Sequence, residues 1–250
     1  MTTPIIQVQN LEARYGTKTV LENINFSVMP GEIFMVIGGS GCGKTTLLNH
    51  MIGLYEPFSG DVLIDSASLH NATENERLQI LRKIGVLYQS GALFGSMNLE
   101  ENVRLPLEEL TSLPSAAIEE IAHNKLKMVG LGDFLHYMPA EVSGGMQKRA
   151  ALARAMALDP KILFLDEPTS GLDPIISAEL DQLIANLSKI LGITFIIVTH
   201  DLESIRNIAR RVILLYQGKI IAEGEPLKLE QSSNSVVKKF FASRKIDTNE

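Results

Sequence analysis

A glycine-rich run that ends in Lys-Thr lies in the first quarter of the chain. Residues 38–45 read Gly-Gly-Ser-Gly-Cys-Gly-Lys-Thr and match the pattern G-x-x-x-x-G-K-[ST] at every fixed position. Such glycines let backbone N–H groups converge on phosphate oxygens, and a following helix adds partial positive charge. We expect Lys44 to reach the β- and γ-phosphates of a nucleotide and the Thr45 hydroxyl to bind Mg²⁺. The predicted binding loop consists of Gly38, Gly39, Ser40, Gly41, Cys42, Gly43, Lys44, Thr45 and Thr46.

Two carboxylates follow an apolar run in the second half of the chain. Residues 162–165 are Ile-Leu-Phe-Leu, and Asp166 and Glu167 come directly after them. A strand that ends in solvated charges is common, but here the pair precedes Pro-Thr-Ser-Gly-Leu-Asp, which ends at Asp173. Phosphoryl transfer depends on positioning and charge stabilisation. We therefore expect Asp166 to join the Mg²⁺ shell and Glu167 to polarise the attacking water.

A second anion site is predicted at Ser143, Gly144 and Gly145. Ser143 is a typical N-cap for a helix that extends from Gly144 to about Leu158. The two glycines leave the N–H groups at the helix start uncovered, where an anion could bind. A capped helix without any ligand is the alternative interpretation.

Short apolar strands alternate with helices in the rest of the chain, which predicts an α/β fold with a mainly parallel sheet covered on both faces. The predicted helices cover residues 44–52 and 178–191, on either side of a middle region with little strand signal. The predicted strands are residues 5–8, 24–28, 33–37, 61–64, 84–87, 162–165 and 194–198, with a hairpin formed by residues 212–215 and 220–223.

The middle region is predicted to be a helical subdomain inserted at about residues 95–155. Apolar residues from Ile118 to Val129 recur at helical spacing, with Pro114-Ser115 before them and Gly130 after them. The ATPase domain would then span residues 1–227. Residues 228–250 form a tail whose apolar face, at Val236, Val237, Phe240 and Phe241, could rest on its own domain or bind a partner.

Charge and cysteine content restrict the class of partner. The formal net charge is −6, whereas nucleic-acid-binding domains are usually basic, so we expect no nucleic acid partner. Cys42 is the single cysteine, which excludes an internal disulfide and favours a reducing compartment. Cys42 itself is interpreted as a small neutral filler of the loop.

Residues 142–147, Val-Ser-Gly-Gly-Met-Gln, resemble the L-S-G-G-Q signature of ABC transporter nucleotide-binding domains. The resemblance extends from about Ile5 to about Glu225, with valine in place of leucine and Met146 in place of glutamine. It implies a P-loop NTPase fold with an N-terminal antiparallel β-subdomain beside the parallel sheet. It also implies Mg-ATP hydrolysis by a homodimer, in which Ser143, Gly144 and Gly145 close on the γ-phosphate held by the other copy.

Four further residues are assigned by the same resemblance. Tyr15 is similar to the aromatic residue that stacks on adenine, although a half-buried strand tyrosine is the alternative. Gln89 resembles the glutamine that joins the Mg²⁺ shell and senses the membrane partner. Asp173 resembles a loop residue at the dimer interface, and His200 resembles the switch histidine that contacts the γ-phosphate.

Residues 88–103, together with Ser-Gly-Gly-Met, are similar to the MlaF family of lipid-trafficking ATPases. This resemblance implies phospholipid cargo and a peripheral position on the cytoplasmic face of the inner membrane. It implies a permease (MlaE-like), an MCE-domain protein (MlaD-like) and a STAS-type regulator (MlaB-like). Residues 91–103 would dock the permease, and charge reversal at Glu100 and Glu101 would loosen that coupling. Alternatives are another ABC transporter ATPase, for lipoprotein release or small-solute import, and a non-transport ATPase that acts on DNA or the ribosome.

Overall fold

The computed structural model describes residues 3–242. The strands are β1 (Ile6–Tyr15), β2 (Lys18–Val28), β3 (Ile33–Gly38), β4 (Ser59–Ile64), β5 (Ala67–Ser68), β6 (Ile84–Leu87), β7 (Ile162–Asp166), β8 (Thr194–Thr199), β9 (Arg211–Tyr216) and β10 (Lys219–Gly224). The helices are α1 (Lys44–Met51), α2 (Glu74–Leu81), α3 (Leu99–Leu110), α4 (Ser115–Met128), α5 (Gly144–Ala155), α6 (Pro174–Leu191), α7 (Leu202–Ile208), α8 (Pro226–Glu230) and α9 (Ser235–Ala242).

Six strands form the central sheet in the order β10-β9-β3-β8-β7-β6. All neighbouring strands are parallel except β9 and β10, which form the predicted antiparallel hairpin. Every residue of β3, β7 and β8 is buried, because helices or the second sheet cover both faces. The unbroken apolar runs in the sequence arise from this double coverage.

The second sheet contains four antiparallel strands in the order β2-β1-β4-β5. The predicted strand at residues 61–64 is β4, but for β1 and β2 the sequence predicted only residues 5–8 and 24–28, whereas β1 extends to Tyr15 and β2 begins at Lys18. Buried and exposed residues alternate along both strands, with irregular pairing near Leu11. Polar residues on the exposed face therefore concealed the length of these strands.

The region predicted as the inserted subdomain contains α3, α4 and α5, which pack on one another. α4 begins at Ser115, where the sequence predicted a helix start, and ends before Gly130. Lys125, the one polar interruption of its apolar face, is buried and forms an ion pair with Asp159. α5 ends at Ala155, earlier than predicted, and α6 begins at Pro174, a full turn earlier than predicted.

The chain described here ends in α9, whose Val237 and Phe241 are buried in the main core. Arg206 of α7 also donates a hydrogen bond to the Phe241 carbonyl, at 3.5 Å. These contacts place α9 on its own domain. The remainder of the predicted tail, residues 243–250, lies outside the described residues. No helix between residues 3 and 242 combines the length and apolarity that a membrane span requires.

Candidate active site

The predicted site residues meet at the carboxyl-terminal edge of the parallel sheet. Ile37 pairs with Thr199, and Asp166 pairs with Val198, so the segments after β3, β7 and β8 leave the sheet side by side. Leu87 pairs with Leu165, which brings the segment after β6 to the same edge. In open α/β sheets this edge is where ligands bind.

The phosphate loop connects β3 to α1. Lys44 is buried, and its Nζ donates hydrogen bonds to the carbonyls of Gly38, at 2.9 Å, and Gly39, at 3.1 Å. Gly43 has a φ of 108°, and a Cβ there would lie 2.7 Å from Leu21 Cδ2, so this position requires glycine. Burial raises the pKa of the Cys42 thiol and so favours its neutral form, although the charge of Lys44 partly opposes this shift.

Asp166 ends β7 with a buried carboxylate. Burial raises its pKa above the ordinary value, and the neighbouring Glu167 raises it further, while Lys44 and Lys148 oppose the increase. Its Oδ1 is buried and has no hydrogen-bond partner among the described residues. A buried acceptor of this kind fits a cation. Within residues 3–242 no group of three or more His, Cys, Asp or Glu could hold a metal ion. The unpartnered Oδ1 of Asp166 could therefore contribute one ligand to a cation.

Glu167 is held in a defined orientation directly after Asp166. Its φ of 45° lies in the left-handed region, which is costly for a residue with a side chain, and its N–H donates to the Val198 carbonyl at 2.8 Å. Its Oε1 lies 2.8 Å from His200 Nδ1, and its Oε2 accepts a hydrogen bond from Thr199 Oγ1 at 3.3 Å. The carboxylate is thus oriented by two residues at the end of the next strand.

Gln89 follows β6 and is tied to this cluster at two points. Its Nε2 donates to Ser170 Oγ at 3.3 Å, and its main-chain carbonyl accepts a hydrogen bond from Lys148 Nζ. Burial lowers the pKa of Lys148, and attraction to Asp166 and Glu167 opposes that shift. Sequence patterns did not indicate Lys148, Ser170 or Thr199, because their roles depend on contacts between distant segments.

The second predicted anion site lies at the start of α5. Ser143 is the N-cap, and its hydroxyl oxygen accepts a hydrogen bond from the Met146 N–H at 3.2 Å. A Cβ on Gly145 would lie 2.5 Å from Ile176 Cγ2, so α5 and α6 approach closely there. Asp173 caps α6 by accepting hydrogen bonds from the N–H groups of Ile175 and Ile176, each at 3.0 Å. Among the described residues, no hydrogen bond or ion pair joins this site to the phosphate loop.

Tyr15 ends β1 with 53% of its surface exposed. Its ring meets the ring of Tyr55 edge to face, with the centroids 6.5 Å apart. Exposure of this extent argues against the alternative of a half-buried strand residue and leaves an aromatic face accessible to a planar ligand.

The strand, glycine-rich loop and helix, with carboxylates at the end of β7, which only β8 separates from β3, define a P-loop nucleoside triphosphatase. The family model described as ABC transporter matches residues 21–170, and an AAA-domain model matches residues 137–206. The chain belongs to the ABC transporter family, as an ATP-hydrolysing cassette. The predicted family and the predicted fold class are confirmed.

Individual relatives agree with this assignment. Over 237 residues the chain is 40% identical to the intermembrane phospholipid transport system ATP-binding protein MlaF of Haemophilus influenzae, covering 95% of this chain and 90% of that protein. It is 39% identical over 241 residues to the "Probable ribonucleotide transport ATP-binding protein mkl" of Mycobacterium leprae, covering 96% of this chain and 70% of that protein. The dimeric ATP-binding cassette MJ0796, solved in a post-hydrolysis state with ADP and Pi, superposes with a TM-score of 0.79 at 32% identity, covering 88% and 98% of the two chains.

Proposed function

We propose that two copies of this chain hydrolyse Mg-ATP to drive phospholipid transport between the inner and outer membranes, through a separate MlaE-like permease. The observation that carries this proposal is the 40% identity to MlaF along nearly the full length of both proteins. The chain would lie on the cytoplasmic face of the inner membrane, with an MlaD-like MCE protein and an MlaB-like STAS regulator in the same assembly.

Binding of ATP is assigned to the loop of residues 38–46, whose N–H groups and Lys44 would hold the phosphates. Thr45, Gln89 and Asp166 are the residues that would hold Mg²⁺, and the unpartnered Oδ1 of Asp166 supports this set. Bound Mg²⁺ offsets negative charge on the β- and γ-phosphates. Tyr15 would stack on the adenine, since its ring is exposed beside Tyr55.

Glu167 would act as the general base for the attacking water. His200 and Thr199 each contact one oxygen of its carboxylate, so the group is held at the edge where the nucleotide would bind. His200 would also contact the γ-phosphate, because its ring is largely exposed on that edge. Ser170 would keep the Gln89 amide beside the same water.

The second half of each site would come from the other copy. Ser143, Gly144 and Gly145 present bare N–H groups at the start of α5, and Asp173 caps the adjacent α6. ATP would therefore join two copies through its γ-phosphate, and hydrolysis would let them separate. The likeness of this chain to the cassette MJ0796, which was solved as a dimer with ADP and Pi, supports this arrangement.

The permease would dock in an apolar groove beside Gln89. The groove has a volume of about 700 Å³, and its lining includes Leu78, Val86, Tyr88, Phe94, Pro106 and Leu110. Tyr88, which directly precedes Gln89, lines the groove. An apolar helix inserted there would therefore press on the segment that carries Gln89. Of the docking surface expected at residues 91–103, Ala92 and Phe94 line this groove, and the rest of the lining comes from other segments.

A second cargo, a ribonucleotide, is suggested by the name of the mycobacterial relative. The two cargo hypotheses can be distinguished by an experiment in which the chain is purified with its permease from membranes and the complex is placed in phospholipid vesicles. Phospholipid transfer that requires ATP and is lost in Glu167→Gln would support the proposal. Stimulation of ATP turnover by ribonucleotides, without phospholipid transfer, would replace it with the second cargo. Lipoprotein release or small-solute import would be identified by the same assay with those substrates.

A further inference from the structure

Lys148 is a buried cation that the roles assigned above do not use. It lies on α5 with 6% of its surface exposed, and its Nζ donates to the Gln89 carbonyl. Burying an ammonium group costs free energy unless opposite charges and hydrogen bonds compensate. Its position therefore calls for a compensating negative charge.

Asp166 and Glu167 supply part of that charge. Both carboxylates attract Lys148, and Lys148 acts in turn on Asp166. The ammonium group thus donates to the main chain of the Gln89 segment and is attracted by the acid pair at the end of β7, although among the described residues no ion pair joins it to either carboxylate. These are the groups assigned to metal binding and to water activation.

The helix that carries Lys148 also holds the same segment further along. Arg154 donates hydrogen bonds to the carbonyls of Gly91, at 2.9 Å, and Ala92, at 2.8 Å. The N-cap of this helix is Ser143, the first residue of the second anion site. A movement of α5 should therefore displace residues 89–92, because Lys148 contacts the carbonyl of Gln89 and Arg154 contacts two carbonyls further along.

We propose that Lys148 is a positioning residue for ATP hydrolysis, which holds the Gln89 main chain in a fixed relation to Asp166 and Glu167. This inference rests on the proposed catalytic roles of Gln89 and Glu167. Among the described residues, no hydrogen bond or ion pair joins Lys148 to the phosphate loop. Turnover should consequently depend on Lys148, whereas nucleotide affinity should not.

The test compares Lys148→Met, Lys148→Arg and Lys148→Gln by ATP turnover and by direct binding of a fluorescent ATP analogue. For Lys148→Met we expect kcat to fall on the order of 10- to 100-fold, since small misplacements of catalytic groups have effects of this size. Its ATP KM and analogue Kd should stay within about twofold of wild type, because the missing interaction acts on turnover alone. Lys148→Arg keeps the charge and the donors and should recover most of the turnover.

Lys125 provides a matched control. It is also 6% exposed, lies on α4 and forms an ion pair with Asp159, away from the nucleotide edge. Lys125→Met should lower the melting temperature and leave kcat per folded molecule unchanged. A loss of kcat in this variant equal to that in Lys148→Met would assign both effects to helical packing and overturn the proposal.

Three other results would also overturn it: wild-type kcat in Lys148→Met, parallel loss of kcat and affinity, or an arginine variant as impaired as the methionine variant. If Lys148→Met does not fold, Lys148→Arg and Lys148→Gln provide the test. Equal turnover in these two variants would show that the positive charge at residue 148 is not needed, and this would contradict the proposal. Rapid hydrolysis by Glu167→Gln would instead contradict the proposed site itself. An inactive Glu167→Gln beside a normal Lys148→Met would overturn the role of Lys148 alone.

Discussion

His200 Nδ1 lies 2.8 Å from Glu167 Oε1, which joins the residues that follow two neighbouring strands. An ionised carboxylate only accepts hydrogen bonds, so Nδ1 carries the proton in this pair. The contact fixes both the ring orientation and the direction of the carboxylate. It connects the proposed base to the proposed γ-phosphate contact without an intervening residue.

Replacing His200 should therefore impair chemistry more than binding. We expect His200→Ala to lower kcat on the order of 10- to 100-fold, because Glu167 loses its orienting donor. His200→Asn should retain more activity than alanine, since its amide can donate from near the position of Nδ1. Steady-state kinetics would check both, with His123→Ala on the exposed face of α4 as control. Equal rates in the alanine variant and wild type would contradict the prediction.

Alanine substitutions at Gly144 and Gly145 provide a matched pair of variants that distinguishes an effect on dimerisation from an effect on packing. A Cβ on Gly144 would have only Leu172 Cδ2 nearby, at 3.7 Å, whereas one on Gly145 would meet Ile176 Cγ2 at 2.5 Å. Gly144→Ala should fold with a wild-type melting temperature and bind ATP, but lose ATP-dependent dimerisation, because its methyl group would face the phosphate of the other copy. Gly145→Ala should also lower the melting temperature.

Light scattering with ATP and thermal melting would measure the two effects separately. Normal dimerisation of Gly144→Ala would show that the start of α5 does not approach the other copy's nucleotide.

Sequence patterns predicted the elements that carry the site because each has a strong local signal. Residues 84–87 form β6 as expected, and Ser143 caps α5. The same patterns missed α2, which has little apolar periodicity. Thr73 and Glu76, which form its capping box, have the spacing that would have indicated a helix start. Lys148 could not be assigned, because a lysine on a helix is ordinarily exposed and only the packing of α5 against the Gln89 segment buries it.

The buried carboxyl of Asp181 in α6 should make the free energy of unfolding depend on pH. Burial raises its pKa to about 6, repulsion from Asp201 and Glu203 adds to the effect, and the Ser204 hydroxyl opposes it. The folded state therefore binds this proton more tightly than the unfolded state, and stability is lost as pH rises from about 4 to about 6. Asp181→Asn removes the cost of the buried charge and should stabilise the protein by up to about 3 kcal/mol at pH 8.

The gain in Asp181→Asn should disappear at about pH 3 and below, where the wild-type carboxyl is mostly protonated in both the folded and the unfolded state. Urea unfolding at several pH values would measure it, with the exposed Asp133→Asn as control. A gain that is independent of pH would contradict the assignment.

The apolar groove can be tested without disturbing the nucleotide site. Leu78 and Leu110 line it and are 52% and 45% exposed. Their replacement by glutamate should abolish co-purification with the permease and leave basal ATP turnover unchanged. The exposed Leu227→Glu on α8 is the control, since Leu227 does not line the groove.

Charge reversal at Glu100 and Glu101 is a less specific test than the leucine substitutions. Glu101 exchanges hydrogen bonds with Asn98 in the capping box of α3, so its reversal would also weaken the helix. Retention of the permease by the double leucine variant would exclude the groove as its docking site.

The most direct measurement is ATP turnover and oligomeric state in Glu167→Gln. This change keeps the side-chain shape but removes the base, so turnover should fall by at least roughly 100-fold. ATP should then accumulate between two copies, and size-exclusion chromatography with light scattering should show a dimer with ATP and a monomer without it. Turnover close to wild type, or a monomer in saturating ATP, would contradict the account.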